Sequence, residues 1–565
     1  MNEPLRTTPN RVCAWEYASD RAPADPAEVE LDVLITEPGG RELTVPAFHA
    51  GEGRWGVRYA SPVVGRYRFV TRCPDPGDPA LHGRTGVIEI EPAADETNPL
   101  YRHGPLCRVA PGARHLRHAD GTPFLWLADT WWMGLVQRLR WPGDFQRLAA
   151  DRAGKGFTVA LLVAGLYPDM PPFDPRGANE AGFPWSEDFA TLNPAWFDAA
   201  DRRIEHMVEL GIVPAIVGSW GYFMRFAGAE VLRRHWRNLI ARYGAWPVVW
   251  CIAGEALMPF YTSELWGDLH RSRMAPSEPP SERLLAHRRT ARAEWTDITR
   301  YVRSADPFRR PVSIHPSSGA WSLDLVEDAS LLDLDMAQCG LHDVITAASV
   351  MQELDTHLDA APRLPRLLGE GCYEGEGGWN WENVQRLLFW GSMLRGAAGH
   401  TYGASGIWQV NTREEPFGHD PRVFGDAFDD DPWDVAMAFP GSAQVGLGKR
   451  LLERYRWWSF RPHGEWITWV GGHYYEPLAA TLKPLAAGIP GEVRVIFVPT
   501  RCIVTVCGIE PGSGYRAAWF DPRRGHEHDA GTVAPDGGGR WQPPRPPIIQ
   551  DWVLVLETAE ARMER

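Results

Sequence analysis

From about residue 105 to 440 the chain alternates short apolar runs with amphipathic stretches, and that alternation constrains its fold more than any other feature. The runs are PFLWLADT (123–130), FTVALLVAGL (157–166), GIVPAIVGSW (211–220), VVWCIAGE (248–255), PVSIHPSS (311–318), LLDLDMAQ (331–338), RLLGE (366–370) and AAGHTYGAS (397–405). Apolar runs of about 5–8 residues read as strands buried on both faces. Between them, PGDFQRLAADRAGKG, PAWFDAADRRIEHMVELG and WENVQRLLFWGSMLRGA carry the period of helices. Eight strands alternating with helices predict an α/β fold, a (β/α)8 TIM barrel. A doubly wound open sheet would also alternate, but no GxGxxG follows an early strand.

The flanks read differently. Residues 1–95 hold short β-rich runs such as VELDVLI, RELTVPAF and GRYRFVTR, punctuated by Gly, Pro and Asp, which predict an antiparallel β-sandwich. EPAADETNPLYRHGPL reads as a linker into the barrel at 105–440. From GEWITWV to DWVLVLE the pattern returns to strands and turns, a second antiparallel β-sandwich over 460–565.

Net charge is −14, from 58 basic and 72 acidic residues, which argues against a nucleic-acid or anionic-membrane partner. No run of 18 apolar residues suggests a membrane span. The N-terminus lacks a basic patch followed by an apolar segment, and the eight Cys are scattered without CxxC pairs. Together these features lead us to expect a cytoplasmic protein with reduced, buried thiols. The 27 Trp outnumber both Tyr and Phe; most belong in cores, yet their flat faces suit sugar stacking.

In a barrel, every strand delivers its last residues to one face. Glu255 ends the fourth run and Glu370 the seventh, 115 residues later. Two carboxylates meeting at that face are the minimum equipment of a glycosidase. The other strand ends contribute Asp129, Trp131 and Trp132; Tyr167 and Asp169; Trp220 and Tyr222; His315; Gln338 and His342; Tyr373 and Glu374; and His400, Tyr402 and Trp408. Carboxylates, hydrogen-bonding groups and aromatic plates suit a neutral polyol. Structural roles compete: a helix-start carboxylate for Glu255, an ion-pair partner for Glu370, and a satisfied buried role for His315 and His400. Glu374 and Glu376 rival Glu370, but Glu370 ends the apolar run directly. The HxH of GHEHD (His526, His528) sits between turns, and HExxH, GxSxG and P-loop motifs are absent, so neither a metal nor a cofactor is expected.

LRHADGTPFLWLADTWWMGL, DRAGKGFTVALLV, PVVWCIAGE and LLGEGCYEG together resemble the catalytic domain of the apiosidase-like glycoside hydrolases. The front, with AWEY and FHAGEGRWGVRYASPVVGRYRFVTR, is similar to that family's N-terminal Ig-like sandwich. The tail, GYRAAWFDPRRG to PPIIQDWVLVLE, looks like its C-terminal collagen-binding-like sandwich. The resemblance implies a retaining glycosidase with Glu255 as acid/base and Glu370 as nucleophile. Glu255 stands where many members carry Asp, and Gly254 where clan relatives carry the Asn that holds the sugar 2-hydroxyl.

The expected activity is hydrolysis of a glycosidic bond by double displacement, exo-acting on a furanoside or small oligosaccharide. A non-catalytic carbohydrate-binding barrel and a transglycosidase using the same pair are the alternatives. For a retaining pair the carboxyl groups should lie about 5–5.5 Å apart, and Glu255 should be a weakened acid. Asp129, Trp131, Trp220, His315, Gln338, Tyr373 and Trp408 are the residues expected to line the subsites on either side of the bond. The oligomeric state stays open.

Overall fold

The computed structural model describes residues 3–563 apart from 20, 22–28, 94, 111, 275–276, 339–353, 356, 358–360, 379, 419–429 and 472–481. Each of the eight apolar runs contains a strand: Trp126–Thr130, Val159–Val163, Val213–Val217, Val249–Cys251, Val312–Ser313, Asp335–Gln338, Arg366–Glu370 and Gly399–Tyr402. They pair in the order fifth, fourth, third, second, first, eighth, seventh, sixth, all parallel. The first strand therefore bonds both the second and the eighth, as a sheet curling into a barrel requires.

The ladder is interrupted between the fifth and sixth strands, where a backbone bond and two serine side chains bridge the gap. Asp333 N donates to Val312 O at 2.8 Å, and Ser313 Oγ donates to Leu334 O at 3.1 Å. The Ser322 hydroxyl donates to Ile314 O and accepts from Met336 N. These bonds satisfy backbone groups that a ladder would otherwise have paired. A short strand, Ala320–Trp321, pairs antiparallel with the sixth and ends the sheet.

Strand parity decides which side chains reach the barrel axis. In the fourth strand, the Trp250 indole packs on Trp236 of helix Met224–Tyr243 and donates to Asp306 beyond helix Glu282–Ala305. Trp250 therefore faces the helices, and Val249 and Cys251 face inward. In the first strand Asp129 takes the helical side. Its Oδ2 accepts from Arg152 Nε at 2.6 Å, and Arg152, fully buried, belongs to helix Gly143–Lys155.

The N-terminal region pairs a five-stranded sheet with a three-stranded one around Leu31, Val33, Ile35, Trp55, Val57 and Tyr67. It departs from an all-antiparallel sandwich in one pairing: Leu5–Thr7 runs parallel to Thr85–Ile90. It meets the barrel through Arg237, which pairs with Asp32 at 2.7 Å, and Arg242, whose guanidinium lies over the Phe48 ring.

The C-terminal region has a six-stranded and a two-stranded sheet. Its strand Val493–Val498 is apolar along nearly its whole length because both faces are covered. Val493, Val495 and Phe497 join the barrel core, while Ile496 and Val498 join the core of the sandwich itself. Phe497 stacks on Trp390 of barrel helix Glu382–Met393, and Arg386 of that helix grips Asp551 with two bonds of 2.6 and 2.8 Å. No helix among the described residues is long and apolar enough to cross a membrane.

Because Phe497 belongs to both bodies, Phe497→Ala should cost about 3–5 kcal/mol. Scanning calorimetry should show barrel and C-terminal sheet shifting together as one transition. A separate low-temperature transition with an unmoved barrel would contradict this coupling.

Candidate active site

Glu255 does not end its strand. The ladder stops at Cys251, and Gly254 then bridges to Trp220 at the end of the third strand's run. Glu255 follows in a left-handed backbone conformation, φ 40°, which costs a non-glycine residue about 1–3 kcal/mol. Gly254 is required by contact rather than by φ: a Cβ there would lie 2.2 Å from the Trp220 ring. The space an Asn side chain would need at 254 is filled by indole.

Glu370 reaches the barrel interior through a bulge. Between the sixth and seventh strands, Met336 pairs with Leu367, Ala337 with Leu368, and Gln338 with Glu370, so Gly369 is an extra residue. Strict alternation would send Glu370 the way of Leu368, toward Leu388 of helix Glu382–Met393. The extra residue instead turns it to the side of Met336 and Gln338. Gly369 suits the position because a Cβ there would lie 2.8 Å from Met336 Cβ.

The polar contacts converge on this carboxyl. Gln338 Nε2 donates to Glu370 Oε1 at 3.2 Å, and His315 Nε2 stands 3.3 Å from Oε2. Burial pushes the His315 imidazole down to about 4, so it is uncharged near neutrality and the contact is no ion pair. Trp132 Nε1 donates to Tyr373 Oη at 2.8 Å. The Tyr373 hydroxyl, its acceptor side occupied, hydrogen-bonds Glu370 and favours the ionised carboxylate. Trp132 also packs edge-on against Trp220 and His315, with centroids 5.3 and 5.1 Å away.

Both glutamates are weakened acids. Burial raises Glu255 to about 7; Arg273 opposes it, Asp169 adds to it, and Trp220 and Gln338 draw it back. Burial, then the charge of Glu255, holds Glu370 well above the usual carboxylate range. Gln338 thus bonds Glu370 and also acts on Glu255, and the mutual repulsion of the two carboxyls favours a single negative charge shared between them.

Of the side chains anticipated from the sequence, Trp132, Trp220, His315, Gln338 and Tyr373 surround this pair. Trp408 stacks on the far side of Tyr373, at 6.1 Å. Tyr167 is buried in the wall, its carbonyl accepting from the Tyr222 hydroxyl. Four residues belong to the layer between sheet and helices instead of the pocket. Asp129 is paired with Arg152 and accepts from the Trp131 indole, and Trp131 packs on Phe145. His400 meets Phe389 edge-on, and Tyr402 contacts Phe157 and the Arg152 guanidinium. Parity explains Asp129, His400 and Tyr402, since Leu127 pairs with His400 and Asp129 with Tyr402. Glu374 is also committed: it accepts from Tyr402 Oη at 2.6 Å and from Gly441 N at 2.9 Å, bonds that fasten the loop to helix Pro440–Leu452. His342 lies outside the described residues.

Tyr261 and Arg273 were not singled out from the sequence, though both act on this site. Tyr261 donates to Asp169, and Arg273 acts on Glu255 from helix Glu264–Met274. Tyr261 carries no sequence signal, because the loop after the fourth strand has no regular period, and Arg273 lies near the end of a helix with nothing in the sequence to aim it at the site. Among the described residues no cluster of three or more His, Cys, Asp or Glu could hold a metal ion.

Residues 110–459 match a family model described as "Apiosidase-like, catalytic domain". Residues 11–74 match a domain of unknown function, DUF5060, and residues 500–557 a "Putative collagen-binding domain of a collagenase". No curated protein matches the chain. Among solved structures, one named simply a glycoside hydrolase is 19% identical, with a TM-score of 0.64 over 82% of this chain and 99% of its own. A family 5 glycoside hydrolase from Bacteroides vulgatus ATCC 8482 is 18% identical, with a TM-score of 0.63 over 81% of this chain and 95% of its own. A "putative glycoside hydrolase" from the same organism is 16% identical, with a TM-score of 0.65 over 98% of this chain and 99% of its own. At these identities the structural likeness concerns the fold.

Tyr373→Phe removes one charge-assisted donor, worth about 1.5–3 kcal/mol, so kcat should fall about 10- to 100-fold, and the melting temperature should fall by a few degrees because the buried Trp132 N–H loses its acceptor. Gly254→Ala should lower kcat/KM further, because Trp220 has to shift and carries the Glu255 backbone with it. Wild-type turnover in either variant would show that the bond or the contact is idle.

Proposed function

The chain belongs to the apiosidase-like family of glycoside hydrolases, whose catalytic-domain model spans more than half of it, and from that premise we propose that it is a retaining glycosidase in which Glu370 is the nucleophile and Glu255 the acid/base. The observation that carries this reading is the Gln338 amide, which bonds Glu370 and also acts on Glu255. One short side chain reaching both carboxyls favours the close pair of a retaining enzyme, about 5–5.5 Å, over the 6.5–9.5 Å that an inverting enzyme needs for its water.

In the first step a Glu370 oxygen attacks the anomeric carbon while the Glu255 proton passes to the departing oxygen. The bond to the leaving group breaks and a glycosyl ester forms. In the second step Glu255, now ionised, takes a proton from water as its oxygen attacks the same carbon. The ester breaks, and the enzyme returns with Glu255 protonated and Glu370 ionised. Tyr373 and Gln338 steady the Glu370 carboxylate whenever it is released. Two facts support removal of one terminal sugar, a furanoside or the end of a small oligosaccharide. Glu370, Gln338 and Tyr373 keep no more than 5% of their surface, and Trp220 closes the position beside Glu255.

A panel of aryl glycosides, furanosides beside pyranosides, tests the reading. We expect the first product, followed by proton NMR, to keep the configuration of the substrate. Glu370→Gln should abolish turnover but retain sugar binding. Glu255→Gln should lose about 10²- to 10⁴-fold on substrates with poor leaving groups and much less on activated ones. Activity requires Glu255 protonated, so kcat/KM should fall as pH rises through its value of about 7. Inversion of configuration, or an active Glu370→Gln, would overturn the assignment.

A further inference from the structure

The wall beside Glu255 holds a third carboxyl that the double displacement does not use. Asp169 follows the second strand in a left-handed conformation, φ 60°, and is half-buried. Tyr261, six residues beyond Glu255 in the loop after the fourth strand, donates its hydroxyl to Asp169 Oδ1. Tyr222, after the third strand, packs edge-on against Tyr261 at 5.3 Å and bonds the Tyr167 carbonyl at 3.2 Å. Three loops are thus tied together at one point, and the tie fixes a carboxyl whose charge acts on Glu255 and, as a smaller influence, on Glu370. Tyrosine holds it there, where an arginine would have neutralised it. The cation that acts on it, Arg176, is already gripped by Asp174 through two bonds of 2.9 Å and by the Phe417 carbonyl.

We propose that Asp169 is a positioning residue for the general acid: anchored by Tyr261, its negative charge keeps the proton on Glu255 until the leaving oxygen takes it. The inference rests on the glycosidase reading above. It explains why a charged side chain is retained in an otherwise aromatic wall. The groups that act on Glu255 are Asp169, Tyr222, Tyr261, Glu370, Gln338 and Trp220, together with Arg273 from helix Glu264–Met274. Arg273 pulls toward the ionised form, and Asp169 offsets part of that pull. The tyrosine bond favours the charged form of Asp169, against a burial that raises it to about 6. The device therefore works from about pH 6 upward, the range in which Glu255 would otherwise begin to lose its proton.

The signs can be worked out for two variants. Asp169→Asn removes a nearby negative charge, so Glu255 ionises more easily and the alkaline limb of kcat/KM should move down by about one pH unit. Tyr261→Phe removes the bond that favours charged Asp169, so Asp169 is more often neutral and the limb should move the same way by less. Phenylalanine also preserves the ring packing should Asp169→Asn fail to fold. A purely structural role would lower the melting temperature and leave the limb in place, and that result would overturn the proposal. If the wild type cleaves no glycoside, the catalytic assignment fails first. The titration of Glu255 is then read by carbon-13 NMR of labelled carboxyls in the Glu370→Gln background. An unchanged Glu255 titration on adding Asp169→Asn overturns the inference, and a downward shift upholds its electrostatic core.

Discussion

A single extra residue in the seventh strand decides whether two glutamates meet inside this barrel. Alternation along a strand is strict, so Arg366 and Leu368 set a parity that would turn Glu370 toward the helices. The bulge at Gly369 breaks that parity and delivers the carboxyl to the axis, beside Gln338 and His315. The extra residue leaves no room for a side chain of its own, as the short distance to Met336 shows. The contacts of Gln338, His315 and Tyr373 with Glu370 are made to a side chain that faces inward only because of this irregularity.

Once the two carboxyls face each other, electrostatics governs the rest. Removing them from water makes each a weak acid, and their proximity makes a doubly ionised pair costly. The surrounding groups divide the remaining proton between them. Tyr373 and Gln338 stabilise the charge of Glu370, and His315, neutral at working pH, adds none. Asp169 and Arg273 act in opposite senses on Glu255. The barrel supplies low dielectric and fixed dipoles, and a few loop side chains set the balance.

The aromatic wealth of the chain serves packing more than recognition. Trp126, Trp131, Trp132, Trp196, Trp236, Trp250, Trp295, Trp390 and Trp552 are fully buried, many of them between sheet and helices. Trp390 carries the barrel's contact with the C-terminal sheet through Phe497, and Arg386 locks the same helix to Asp551. A sheet buried on both faces braces the helix that follows the seventh strand, the strand bearing Glu370. Distant packing and local chemistry are joined by one short stretch of chain.

The sequence by itself determined the eight barrel strands and their order, because burial on both faces imposes apolar runs, and it singled out the two glutamates as candidates, because strand ends carry the first polar residues after them. It also placed Trp132, Trp220, His315, Gln338 and Tyr373 near the pair, since each closes a run at the same end of the barrel. Parity was not legible at that level. Asp129, His400 and Tyr402 look no different in sequence from Glu370, yet an even step sends them to the helices and a bulge spares Glu370. Asp169 follows the second run, but its partner Tyr261 was hidden for another reason: their hydrogen bond joins two loops 92 residues apart, and loops have no period to read. Local residue pattern is enough to make strands and aim a chain at one face. Only tertiary structure decides the register between neighbouring strands, and register decides which carboxylates meet.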